Sequence, residues 1–162
     1  DWEVELGVVI GDIAKAVPES KAMQYVAGYT IINDVSERAY QLDAAAGQWT
    51  RGKGCDTFCP AGPWLVTKDE INRPQNLSLW LDVNDKKMQN GNTKTMVFSI
   101  KELVSYVSYY MTLYPGDIIA TGTPPGVGMG MKPPRYLKKG DEMKLGIDGL
   151  GEQIQKVVAW KK

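Results

Sequence analysis

The chain has 162 residues, 43% of them hydrophobic, with 19 basic and 19 acidic side chains. That length and composition suit a single domain over residues 1–162 with a buried core, and a net charge of zero with no basic stripe excludes nucleic acid as an expected partner. No apolar run is long enough to span a bilayer and no signal peptide is visible, so a cytoplasmic protein with no membrane partner is expected.

Residues 4–10 (VELGVVI) read as a strand entering a buried sheet, with Gly11 and Asp12 as a turn. Ser20 to Val26 is a short helical stretch that ends near Gly28. Tyr29 to Asn33 is β-rich. Ser36 to Ala46 has no breaker and reads as a helix stopped by Gly47. Residues 47–63 are loop-like, punctuated by glycine and proline. Trp64 to Thr67 is a short strand. Leu77 to Val83 and Lys87 to Asn90 form a hairpin across Asn84-Asp85. Ile100, Leu103, Val104, Val107 and Met111 recur at helical spacing, with Ser99 and Glu102 as a capping box. Asp117 to Ala120, Leu145 to Ile147 and Lys156 to Trp160 complete the strands. Many short strands, few helices and no βαβ alternation predict an α+β, β-rich protein built on antiparallel or mixed sheet.

The chain has no histidine. This excludes Ser-His-Asp and Cys-His catalysis and any imidazole metal site. Cys55 and Cys59 are too few for a disulfide framework or a zinc site and are read as reduced thiols. A metal here must be held by oxygen, so the candidates are Mg²⁺, Mn²⁺ and Ca²⁺.

Glu3 and Glu5 flank Val4, so on a strand their carboxylates share one face. An isolated E-x-E is more often the solvated face of an edge strand. Here the strand runs straight into LGVVIG, and Asp34 ends another buried-looking strand. Three carboxylates at strand ends suit a hard cation. Asp34 has a competing reading as a helix cap with Glu37. Asp34, Arg38 and Gln41, spaced by four and three, would share one side of the helix, placing a guanidinium suited to a substrate carboxylate beside an acid and an amide. Lys53 lies between Gly52 and Gly54, where a ligand can approach closely. It is either a surface residue or the group that stabilises an enolate. The loop TGTPPGVG, residues 121–128, offers amides and hydroxyls for an oxyanion, or is simply a rigid turn. The tyrosines Tyr106, Tyr109 and Tyr110 and the tryptophans Trp49, Trp64 and Trp80 read as packing or interface residues.

The ordered blocks EVELGVVIG, YVAGYTIINDVSER, KGCDTFCPAGPWLVTKDEI, QNGNTKTMVFSI and LYPGDIIATGTPPGVG resemble the catalytic domain of the fumarylacetoacetate hydrolase family over nearly the whole chain. KPPRYLKKGDEMKLGIDGLGEQ is similar to the bacterial branch labelled ureidoglycolate lyase or 2,4-diketo-3-deoxy sugar acid hydrolase. The resemblance implies a mixed β-sandwich roll with a few short helices, in a homodimer or higher homo-oligomer. It implies Mg²⁺ or another divalent ion held by Glu3, Glu5 and Asp34. It implies substrate contacts from Arg38, Gln41 and Thr123 and catalytic roles for Lys53 and Thr123, with Asp56 as a partner of Lys53. The implied substrate is a 2-oxo acid. An acylpyruvate or 2,4-diketo-3-deoxy sugar acid would be hydrolysed at a C–C bond to release pyruvate through a metal-stabilised enolate. Hydrolytic members usually carry a His–Glu pair that activates water. This chain has no histidine, so the pair, if present, lies upstream of Asp1. Its absence would favour a lyase, decarboxylase or tautomerase acting on ureidoglycolate, oxaloacetate or a related acid.

Overall fold

The computed structural model describes residues 1–43 and 47–160. Two four-stranded sheets pack face to face. The first has the order β3-β2-β1-β6 and the second β5-β4-β7-β8. Their strands are β1 (Val4–Ile10), β2 (Val26–Asn33), β3 (Ala61–Thr67), β4 (Ser78–Val83), β5 (Lys86–Asn92), β6 (Ile118–Ala120), β7 (Glu142–Ile147) and β8 (Gly151–Lys156). Every ladder is antiparallel, so the sandwich is antiparallel rather than mixed. The β-rich α+β class expected from the sequence is the one observed.

The core lies between the sheets. Val4, Leu6, Val8 and Ile10 of β1 alternate inward with Tyr29 and Ile31 of β2, against Leu79, Leu81, Val83, Met143, Leu145 and Ile147 of the second sheet. Strand alternation therefore turns Glu5, Gly7 and Val9 to the opposite face of β1. β1 pairs with β2 along its whole length and with β6 over Gly7–Val9. Glu3 and Glu5 do not form a solvated face: both are buried, 8% and 3% exposed.

Helix α1 (Glu19–Ala22) packs against helix α3 (Ile100–Tyr110), whose Ile100 and Val104 enter the core. The expected capping box of α3 is present: the Ser99 hydroxyl accepts from Glu102 N, and the Glu102 carboxylate accepts from Ser99 N. Between them they satisfy two donors that a helix start otherwise leaves unpaired.

Three expectations shift. The helix expected over 36–46 is a π-helix over Ala39–Asp43, and residues 44–46 lie outside the described residues. Asp34 precedes it in an extended stretch, so it does not share a helix face with Arg38. The loop over 47–63 contains a short helix, α2 (Thr50–Lys53), and β3 begins at Ala61. The last strand is Gly151–Lys156, not 156–160. Gly149 and Gly151, both at positive φ, turn the chain tightly after β7, and the ladder ends where Lys156 meets Glu142, the first residue of β7.

Candidate active site

β1 and β2 carry the acidic groups to one place. Val4 pairs with Asn33, which sets Glu3 beside Asp34, and Asp34 N donates to Glu3 O at 2.9 Å. Asn33 is fully buried. Its Oδ1 accepts from Glu3 N at 3.0 Å, and its Nδ2 donates to Gln155 Oε1 of β8 at 3.1 Å. Carboxylate oxygens of Glu3, Glu5 and Asp34 consequently lie within 4.8 Å of one another.

Two cations converge on them. Lys53 Nζ bridges Glu3 Oε2 at 2.7 Å and Asp34 Oδ2 at 2.6 Å. Burial opposes its charge, but the bonds to Asp34 and Glu3 outweigh that and hold the ammonium above its ordinary pKa. Asp56 takes no part: among the described residues no hydrogen bond or ion pair joins it to Lys53. Gly52 explains how Lys53 arrives there. A Cβ on Gly52 would lie 2.5 Å from Gln41 Cβ and 2.7 Å from Glu37 O. Only a glycine lets α2 close onto the 37–41 segment, where Glu37 N donates to Gly52 O at 2.8 Å.

Arg38 is held by three groups. Nε donates to Asp1 Oδ2 at 3.0 Å, one terminal nitrogen donates to Gln41 Oε1 at 2.8 Å, and the other reaches Glu3 Oε1 and Asp1 Oδ2. Among the described residues, one N–H of the guanidinium and the amide N–H groups of Gln41 have no partner and could meet a ligand. Asp1 is a residue the sequence reading missed. Its buried carboxylate also accepts from Trp2 N, Gly128 N and Met129 N, so it ties Arg38 to the loop beyond β6. The signal was legible as D-x-E-x-E, three acids at the strand period.

Glu5 is the exception in this cluster. Among the described residues it is paired with no cationic side chain and accepts only from Gly122 N, at 2.8 Å. Gly122 adopts φ +95°, which turns its amide toward the carboxylate and which other residues rarely adopt. Burial pushes the Glu5 pKa up to about 7. Asp34 and Glu3 add to the rise, and the Gly122 N–H and Lys53 oppose it. The Thr123 hydroxyl donates to Val4 O at 2.9 Å and accepts from Gln89 Nε2 at 2.8 Å, so its proton is already engaged. Thr121, Gly122 and Thr123 also line a 460 Å³ cavity with Leu79, Met96 and Phe98.

The donor set fits one hard divalent ion. All three candidate ligands are carboxylates, as such an ion prefers. Four carboxylates, on Asp1, Glu3, Glu5 and Asp34, face two cations, on Arg38 and Lys53. With Glu5 ionised, the surplus is two negative charges, which a divalent cation would balance.

An antiparallel sandwich with a largely buried acid cluster bridged by a lysine has the donor set of a metal-dependent enzyme centre. The family model for the fumarylacetoacetate (FAA) hydrolase C-terminal domain matches residues 1–158. The chain belongs to that family, whose members are enzymes. A Burkholderia ambifaria protein with only a generic hydrolase name is 63% identical over 156 residues, covering 96% of this chain. The chain spans 55% of that relative's length, about half the length of the curated relatives it matches. Among solved structures, 5-carboxymethyl-2-hydroxymuconate delta-isomerase from Mycobacterium smegmatis is 42% identical with a TM-score of 0.88, covering 99% of this chain and 59% of its own. Maleylpyruvate hydrolase from Sphingobium sp. SYK-6, in complex with manganese(II) and pyruvate, is 39% identical with a TM-score of 0.84, covering 97% of this chain and 53% of its own.

Proposed function

We propose that this domain catalyses divalent-metal-dependent cleavage of a C–C bond in a 2,4-dioxo acid, an acylpyruvate or 2,4-diketo-3-deoxy sugar acid, releasing pyruvate. The observation that carries the proposal is the buried cluster of Glu3, Glu5 and Asp34, bridged by Lys53 and short of two positive charges. Mn²⁺ and pyruvate in the Sphingobium hydrolase support both the cation and the product class.

Glu3, Glu5 and Asp34 would hold Mg²⁺, with Mn²⁺ or Ca²⁺ as alternatives. When bound, the ion supplies Lewis-acid polarisation of the 2-oxo acid carbonyl. The remaining N–H of Arg38 and the free amide of Gln41 orient the substrate carboxylate. The Thr123 hydroxyl contributes a remaining lone pair, and its loop forms a wall of the substrate cavity. Asp34 and Glu3 hold the Lys53 proton in the metal-free site, and its ammonium would supply positive charge where negative charge develops in the substrate. No histidine is available in this chain to activate water.

A second reading on the same residues is isomerisation, decarboxylation or lyase chemistry, which needs enolate stabilisation but no attacking water. The similarity to a delta-isomerase supports it. The test is a panel of acylpyruvates, 2,4-diketo-3-deoxy sugar acids, oxaloacetate and ureidoglycolate, each assayed with Mg²⁺ and with EDTA. Metal-dependent pyruvate from the first two establishes the hydrolase. Turnover confined to oxaloacetate or ureidoglycolate establishes the second reading. No turnover of any refutes both.

A homo-oligomer is part of the proposal. Val97, Phe98, Tyr106, Tyr109 and Tyr110 are exposed, and the rings of Tyr106, Tyr109 and Tyr110 touch. Aromatic surfaces of this kind are enriched at interfaces. No helix among the described residues is long and apolar enough to cross a membrane, and a cytoplasmic location is proposed on that basis.

A further inference from the structure

Strand β6 pairs with β1 only from Gly7 to Val9. Beyond that point, the side of β1 that β6 would have covered has no strand partner over Val4–Leu6, the stretch that carries Glu5. Thr121 N still donates to Leu6 O at 3.3 Å, and side chains supply the remaining bonds. Thr121 Oγ1 donates to Leu6 O at 2.9 Å, and Thr123 Oγ1 donates to Val4 O at 2.9 Å. The Val4 N–H is taken by Gln89 Oε1 at 3.0 Å.

Gln89 lies on β5, in the opposite sheet, and is 1% exposed. Its Nε2 donates to Thr123 Oγ1 and to Pro124 O, both at 2.8 Å. One carboxamide therefore uses its acceptor on the peptide between Glu3 and Glu5 and its two donors on the loop whose Gly122 N–H holds Glu5. Gln89 opens the segment QNGNTKTMVFSI, one of the blocks that carry the family resemblance. The chemistry of the cluster has no direct use for Gln89. Its three bonds all end on the frame that spaces the two glutamates.

We propose that Gln89 is a positioning residue that fixes the Glu3–Glu5 spacing by locking the Val4 peptide to the Thr121–Pro124 loop. This rests on the metal reading given above. Rotation of the Val4 peptide would move both flanking carboxylates together, and ligand geometry tolerates displacements of only about 0.5 Å. Groups that orient ligands in this way change metal affinity by about 10- to 100-fold when removed.

The experiment titrates purified protein with Mn²⁺ and follows the free-ion electron paramagnetic resonance signal, alongside melting of the metal-free protein. Gln89→Met keeps the length and volume of the side chain but makes none of the three bonds. Gln89→Asn keeps the amide but is one methylene too short to reach both segments, and it decides the matter if the methionine variant does not fold. Val104→Ala, a cavity in α3 away from the cluster, controls for lost stability. Both Gln89 variants should bind Mn²⁺ about 10- to 100-fold more weakly, while Val104→Ala melts lower yet binds as the wild type does. Wild-type affinity in a folded Gln89 variant, or an equal loss of affinity in Val104→Ala, would overturn the inference. A wild-type protein that binds no Mn²⁺ would overturn the metal reading and this inference with it, a result distinct from the other two.

Discussion

Glu5 makes the metal-free protein sensitive to pH in a direction opposite to that of an ordinary paired carboxylate. Its folded-state pKa is pushed up to about 7 from 4.5, first by burial and then by Asp34 and Glu3. The folded state therefore binds more protons than the unfolded chain between these values. The stability Glu5 confers is fully present below 4.5 and is lost as pH rises through 7. A rise of 2.5 pH units at about 1.36 kcal/mol each amounts to about 3 kcal/mol, a large share of a typical domain's total. The assay is urea unfolding in EDTA from pH 4 to 8, for the wild type and Glu5→Gln. The wild type should lose about 3 kcal/mol relative to the variant across that range. Mg²⁺ at pH 7 should restore stability to the wild type and not to Glu5→Gln. Equal pH dependence in the two proteins would refute the reasoning, because Glu5 would then be ionised in the fold at no cost.

Three further outcomes are expected. Lys53→Met should lower kcat by about 100- to 1000-fold in a coupled pyruvate assay, the usual loss when a fixed charge at a developing oxyanion is removed, with Mn²⁺ binding retained. Gly52→Ala should cost about 1–3 kcal/mol by overpacking against Gln41 and Glu37. Thermal melting measures that cost, and activity should fall further than stability because Lys53 is carried away from Glu3 and Asp34. Arg38→Lys cannot reach Asp1, Glu3 and Gln41 at once. Steady-state kinetics should show a higher KM, with a cost of about 1.5–3 kcal/mol in stability, because the buried Asp1 carboxylate loses the guanidinium and keeps only its three backbone N–H partners.

The placement of Glu3 and Glu5 on one face was legible in the sequence, because strand alternation is a local property of the backbone. So was the capping box of α3, which is set by four consecutive residues. The absence of histidine restricted any metal site to oxygen ligands before a fold was known, and the ordered blocks identified the family. The π-helix over Ala39–Asp43 was not legible. The spacing of Asp34, Arg38 and Gln41 suits an ordinary helix face, but Asp34 remains in the extended stretch after β2 and meets Lys53 instead. Lys53 read as a residue in a glycine loop, because only the closure of α2 onto Glu37 and Gln41 turns Gly52 into a packing requirement. Asp1 was legible only as the first acid of D-x-E-x-E, and Gln89 was invisible as a site residue, since its partner Val4 lies 85 residues away along the chain.

The sequence by itself determined which chemical groups are present and which neighbours share a face, because those follow from composition and local backbone geometry. Only the tertiary structure decided that Glu3 and Glu5 are buried, that Glu5 has no cationic partner among the described residues, and that an amide from the other sheet bonds the peptide between the two glutamates. Burial and charge balance depend on what the rest of the chain brings alongside, and no local pattern encodes that.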